Sequence, residues 1–151
     1  MTATNHGLFG AAIAVTLSND PVAAVIIAPI THFLLDAIPH FGLPDTELRT
    51  RKFFRILAAD ATVAVITTLI VAFSWSQIWW LVIICAFLAA SPDLTHIYYE
   101  YINKPLKSKH ALPRFHSWIQ WSASQRRFNI VVELVWFSIL FASLVAAGQF
   151  K

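Results

Sequence analysis

The chain has 151 residues, of which 58% are apolar and only 13% charged, with a mean hydropathy of +0.64. An ordinary soluble domain is about 25% charged. These values exclude a disordered chain, a nucleic-acid arm and most soluble enzymes. They leave a membrane protein or an unusually apolar helical bundle. The length allows one domain, 1–151.

A spanning helix takes about 20 mostly apolar residues, with roughly 17 as a lower limit. Residues 7–18 are apolar but short, with His6 at their entrance, and form the weakest candidate. No Lys or Arg precedes them, so a cleaved signal peptide is a poor reading, and 1–18 are expected to stay in the mature protein. Residues 21–38 follow with one charge, Asp36. Asp20 suits the N-cap of this helix and Pro21 its first position. Asp45 or Thr46 suits the cap of a third helix, whose first turns (ELRTRKFFR) are polar and begin outside the hydrocarbon. Its apolar part, 56–75, holds one charge, Asp60. Residues 78–91 hold none and can extend past Pro92 through DLTHIYYEY. Residues 128–148 hold one, Glu133. The expected fold class is all-α: a polytopic membrane bundle of about five helices.

Ten of the 11 basic residues lie in two stretches, one between the second and third spans and one between the fourth and fifth. The positive-inside rule places both loops, and the N-terminus, in the cytoplasm of a bacterial-type inner membrane. Trp75, Trp79 and Trp80 then form an aromatic belt at the far interface. The pI near 9.3 reflects topology and contact with anionic lipid, not nucleic acid. The one cysteine, Cys85, excludes an intrachain disulfide and CxxC metal sites, and reads as an apolar filler.

Ionisable groups inside a bilayer cost several kcal/mol unless paired, hydrated or bound to metal. In this topology all six histidines lie on the cytoplasmic side. The strongest local signal is THFLLDAIPHFG, residues 31–42. His32 and Asp36 are four apart and share a helical face, and His40 follows four later, with Pro39 ending or kinking the helix. An imidazole and a carboxylate so spaced can hold one metal ion. Zinc takes such mixed ligands, as do manganese and iron. The second signal is SPDLTHIYYEY, residues 91–101, in which Asp93, His96 and Glu100 share a face. Pro92 would open a new helix there with Ser91 as cap, so Asp93 also reads as a helix-start carboxylate, and Glu100 as a partner of Lys104. Asp60 is either a functional intramembrane acid or pairs with Arg55. His6 and His116 are candidate ligands, His110 reads as solvated, and Glu133 can pair with a neighbouring helix. The candidate ligands are therefore His6, His32, Asp36, His40, Asp60, Asp93, His96, Glu100 and His116. Asp36, Asp60 and Asp93 are the candidate catalytic carboxylates.

No nucleophile elbow, phosphate loop or H-E-x-x-H occurs. His and Asp without Cys form the ligand set of a hydrolytic metal site holding a divalent ion, zinc first, as two or three ions. The segments TNHGLFG, HFLLDAIPH, SPDLTH and FHS resemble the YdjM-like family of membrane-bound metal-dependent hydrolases, grouped with the zinc-dependent phospholipase C and single-strand nuclease superfamily. The resemblance implies that His32 with Asp36 and His96 with Glu100 are zinc-holding pairs, joined by His6 and His116. The expected function is hydrolysis of a phosphoester or phospholipid head group at the inner leaflet, with Lys107, Lys109 and Arg114 holding the anionic group. The alternative is a non-enzymatic metal-binding membrane protein, a transporter subunit or sensor. The expected partner is the lipid bilayer, with no nucleic acid.

Overall fold

A computed structural model describes residues 1–41, 50–98, 111, 115, 118–119 and 126–149, without the side chains of 96 and 126–129. Five long helices carry the described chain, and no strand occurs among the described residues: α1 (Ala3–Thr16), α2 (Pro21–Asp36), α3 (Arg51–Ser74), α4 (Trp79–Ile97) and α5 (Arg126–Gly148). The starts of α1, α2 and α3 are set by side-chain caps. Thr2 accepts from the Asn5 amide, Asp20 from Ala23, and Thr50 from Phe53. The cap on α3 is thus Thr50, while residues 45 and 46 lie outside the described residues. α1 starts four residues earlier than the hydropathy pattern places it, which puts His6 inside its first turns.

α4 runs through Pro92 without a break, so the expected new helix at Ser91-Pro92 is not formed. Proline removes the bond to the carbonyl four residues back, here that of Leu88. The Ser91 hydroxyl donates to that same carbonyl at 2.9 Å, which replaces the lost donor and lets the helix continue.

α1 is the central element and packs against all four other helices, most extensively α4. Small residues allow the approach. A Cβ at Gly10 would land on the Cys85 carbonyl and lie 2.8 Å from the Ala89 side chain. Gly10, Ala14, Cys85 and Ala89 thus form a seam of the kind that lets helix backbones pack closely. The core around it includes Leu8, Val71, Leu81, Val82 and Leu144. Trp75 belongs to this core as well. It is buried and its indole N–H donates to the Leu144 carbonyl at 2.8 Å, so it ties α3 to α5. Of the expected belt, only Trp79 and Trp80 are exposed.

α3 and residues 130–148 of α5 are long and apolar enough to cross a membrane, by length and composition. Only 17% and 11% of their apolar windows are buried. A core helix of a soluble protein would be mostly covered. The exposed face of α2 is likewise apolar at Val22, Ile26, Ile30 and Leu34, spaced by four.

Candidate metal centre

Four acids sit at one level of the bundle. Asp36, Asp60, Asp93 and Glu133 each lie 14 or 15 residues from the far end of α2, α3, α4 and α5 respectively. At 1.5 Å per residue this is about 21–23 Å along each axis. α1 brings its amino end to the same level. The layer divides into two groups with different work.

The first group is His6, His32 and Asp36, all fully buried, with one ligand atom of each within 4.8 Å of the others. Among the described residues it is the one such group. His6 Nε2 lies 3.1 Å from Asp36 Oδ1, and His32 Nε2 lies 3.2 Å from Asp36 Oδ2. The two imidazoles stack with centroids 4.0 Å apart. Asp93 adds a fourth donor on the open side, a quarter exposed, 3.6 Å from His32 and 4.0 Å from His6. The α-ammonium of Met1 also donates to Asp36 Oδ1 at 2.7 Å.

His32 gives the group its chemistry. Its Nδ1 lies 2.8 Å from the Ala89 carbonyl oxygen, which can only accept, so Nδ1 carries a hydrogen. Nε2 is then the atom turned towards carboxylate oxygens of Asp36 at 3.2 Å and Asp93 at 3.6 Å. A proton or a metal ion between ring and carboxylate would join them. Ligand atoms this close could hold one metal ion. The two imidazole–Asp36 distances, 3.1 and 3.2 Å, run to different oxygens of the carboxylate. The Ala89 carbonyl fixes the ring as metal-ligating histidines are commonly fixed. His6 Nδ1, by contrast, is buried with no hydrogen-bond partner among the described residues.

The second group caps α1. Asp60 Oδ2 accepts the Ala3 amide at 2.7 Å, and Oδ1 accepts the Thr4 amide and hydroxyl at 3.2 and 2.6 Å. Glu133 accepts from the Thr2 amide and hydroxyl, the Asn5 side chain and the Phe41 amide. Two carboxylates from neighbouring helices therefore meet the positive end of the α1 dipole and its orphan donors. This accounts for Asp60 in an apolar helix without a metal and without Arg55. Asp60 does not join the His6–His32–Asp36 group. The pattern that marks this role is an N-terminal helix start, Thr2 to Asn5, partly buried at the level of two acids that have no basic partner among the described residues. It is invisible until the bundle places them together.

His40 is buried, with Nδ1 2.8 Å from the Ile38 carbonyl, and lies outside the ligand group. Burial, with the nearby Met1 ammonium, holds its imidazole below the ordinary value. The His96 side chain and residues 100, 107, 109, 114 and 116 lie outside the described residues. Phe115, beside the last of these, packs its ring 5.4 Å from Phe33 of α2. No family model, curated protein or solved structure matches the chain.

Proposed function

We propose that this chain is a membrane-embedded, metal-dependent hydrolase that cleaves a phosphoester, with a phospholipid head group as the leading substrate, at the cytoplasmic face. The observation that carries the reading is the buried convergence of His6, His32 and Asp36, with ligand atoms within 4.8 Å of one another and the Asp93 carboxylate 3.6 Å from His32. The exposed apolar faces of α2, α3 and α5 support the membrane part, because a patch of that extent needs lipid or a partner. His6, His32 and Asp36 would hold the ion, with Asp93 as the donor nearest solvent. A bound divalent ion supplies Lewis acidity, lowering the pKa of water and drawing charge from a phosphoryl oxygen. Ala89 keeps His32 in the ligating tautomer. Asp36 joins the two imidazoles through its two oxygens. Asp93, a quarter exposed and near both rings, would take a proton from an attacking water. The resemblance of HFLLDAIPH and SPDLTH to membrane-bound hydrolases points to the same class.

Full burial of all three ligands favours a second reading, a closed and non-enzymatic metal site, since catalytic zinc keeps an open position. One experiment separates them. The protein is purified in detergent, its metal content measured, and the measurement repeated for His32→Ala and Asp36→Ala. Phospholipid and soluble phosphodiester hydrolysis are assayed on the same samples. Hydrolysis that disappears with the metal supports the enzyme. Metal without hydrolysis supports the second reading. Wild type without metal overturns both.

A further inference from the structure

We infer that Glu133 is a positioning residue that fastens together the two chain segments carrying the ligands of the metal centre. The inference rests on reading His6, His32 and Asp36 as a metal site. Glu133 belongs to α5, a helix that supplies none of those three residues. It is buried, and its oxygens take donors from two places. From the α1 side come the Thr2 hydroxyl at 2.7 Å, the Thr2 amide at 3.2 Å and the Asn5 side chain at 2.6 Å. From the segment after α2 comes the Phe41 amide at 3.1 Å.

Each of these partners lies within five residues of a ligand. Asn5 immediately precedes His6, and the Thr2 carbonyl accepts the His6 amide at 3.1 Å. Phe41 is five residues beyond Asp36. Asn5 is aimed by Glu133 alone among its described partners. Its side-chain nitrogen donates both to the carboxylate and, at 2.9 Å, to the Glu133 carbonyl, while its Oδ1 has no partner. One carboxylate thus fixes the first turn of α1 against the end of α2. Across that junction His6 and Asp36 meet.

The work needs an acceptor at both oxygens, because every partner is a donor. Glutamine has the same shape but turns an NH2 group towards those donors. Glu133→Gln is therefore the sharp variant, and Asn5→Ala is a milder one that leaves the carboxylate in place. Zinc is titrated against a chromophoric chelator into detergent-purified wild type, Glu133→Gln, Asn5→Ala, His6→Ala and the Glu133→Gln/His6→Ala double variant. Removing a group that orients a ligand costs about 10- to 100-fold in metal affinity. That loss is expected for Glu133→Gln in the wild-type background. With His6 gone the lever has nothing to move, and the same change should cost less than about three-fold. Asn5→Ala should weaken zinc by more than about three-fold. Equal losses in both backgrounds would overturn the inference, since they would assign Glu133 to general stability. Unchanged affinity in Glu133→Gln or in Asn5→Ala would overturn it too. Wild type that binds no zinc would instead remove the metal reading on which it stands.

Discussion

Truncating Asp60 distinguishes a helix cap from a metal ligand, and the structure sets the size of the effect. Asp60 accepts the Ala3 amide at 2.7 Å, the Thr4 amide at 3.2 Å and the Thr4 hydroxyl at 2.6 Å. The Thr4 hydroxyl also reaches the Asp60 backbone carbonyl at 3.1 Å, and that acceptor survives truncation. Asp60→Ala therefore strands two amides at the amino end of α1. A stranded buried donor costs about 1–3 kcal/mol, and these two are only part-buried, so the variant should lose about 1–3 kcal/mol in all. Asp60→Asn keeps one carbonyl oxygen, satisfies one amide and should lose about half as much. Unfolding in detergent, followed by tryptophan fluorescence, gives the stabilities, with zinc content measured on the same samples. The expected order is wild type, then Asp60→Asn, then Asp60→Ala. If both variants stay within about 0.5 kcal/mol of wild type, the cap reading is wrong. If zinc is lost while stability holds, Asp60 is a ligand after all.

Three further outcomes follow from the same geometry. Gly10→Ala drives a methyl into the Cys85 carbonyl and should cost about 1–3 kcal/mol, because backbone cannot yield as a side chain does. It should also weaken zinc, since the displaced stretch of α4 includes the Ala89 carbonyl that holds His32. Saturating zinc at about 100 times its dissociation constant should raise stability by about 2.7 kcal/mol, and a chelator or His32→Ala should abolish the gain. The last concerns acid. A buried His40 held below its ordinary value of 6.5 resists a proton that the unfolded chain accepts. Stability from this source is fully present above pH 6.5 and declines as pH falls below it. Metal-free unfolding midpoints should therefore drop between about pH 6.5 and 5, and His40→Gln should flatten that slope. An unchanged slope would place the acid sensitivity elsewhere.

Local rules made some of this legible in advance. Asp20 and Pro21 start α2 because a carboxylate and a fixed φ meet the needs of a helix entrance whatever surrounds them. His32 and Asp36 share a face because they are four apart, and that relation needs nothing but the helix. The position of His6 beside them depends on α1 reaching back to the end of α2, which periodicity does not encode. The course of α4 through Pro92 turned on a single hydroxyl, that of Ser91, taking over a carbonyl. Glu133 reads in the sequence as pairing with a neighbouring helix, and it meets α1, whereas Asp60 reads as a functional acid or an Arg55 partner because its donors are largely amides, and amides have no signature in a sequence. Trp75 looked like an interfacial anchor from its neighbours Trp79 and Trp80. Its indole instead found a carbonyl on α5.

The cap on α1 has a consequence for the order in which the molecule is built. Ala3 finds its acceptor 57 residues later in the chain, and Thr2 finds Glu133 only after 131. At synthesis rates of about 5–20 residues per second, Glu133 is made roughly 6–26 seconds after Thr2. Until then the first turn of α1 lacks half of its acceptors, although His6, His32 and Asp36 have all been made. Closing contacts so distant in sequence is a late and slow event. Of the five described helices, α1 is thus made before the others and finished after them. A chain halted before α5 holds His6, His32 and Asp36 without the carboxylate that accepts from Thr2 and Phe41.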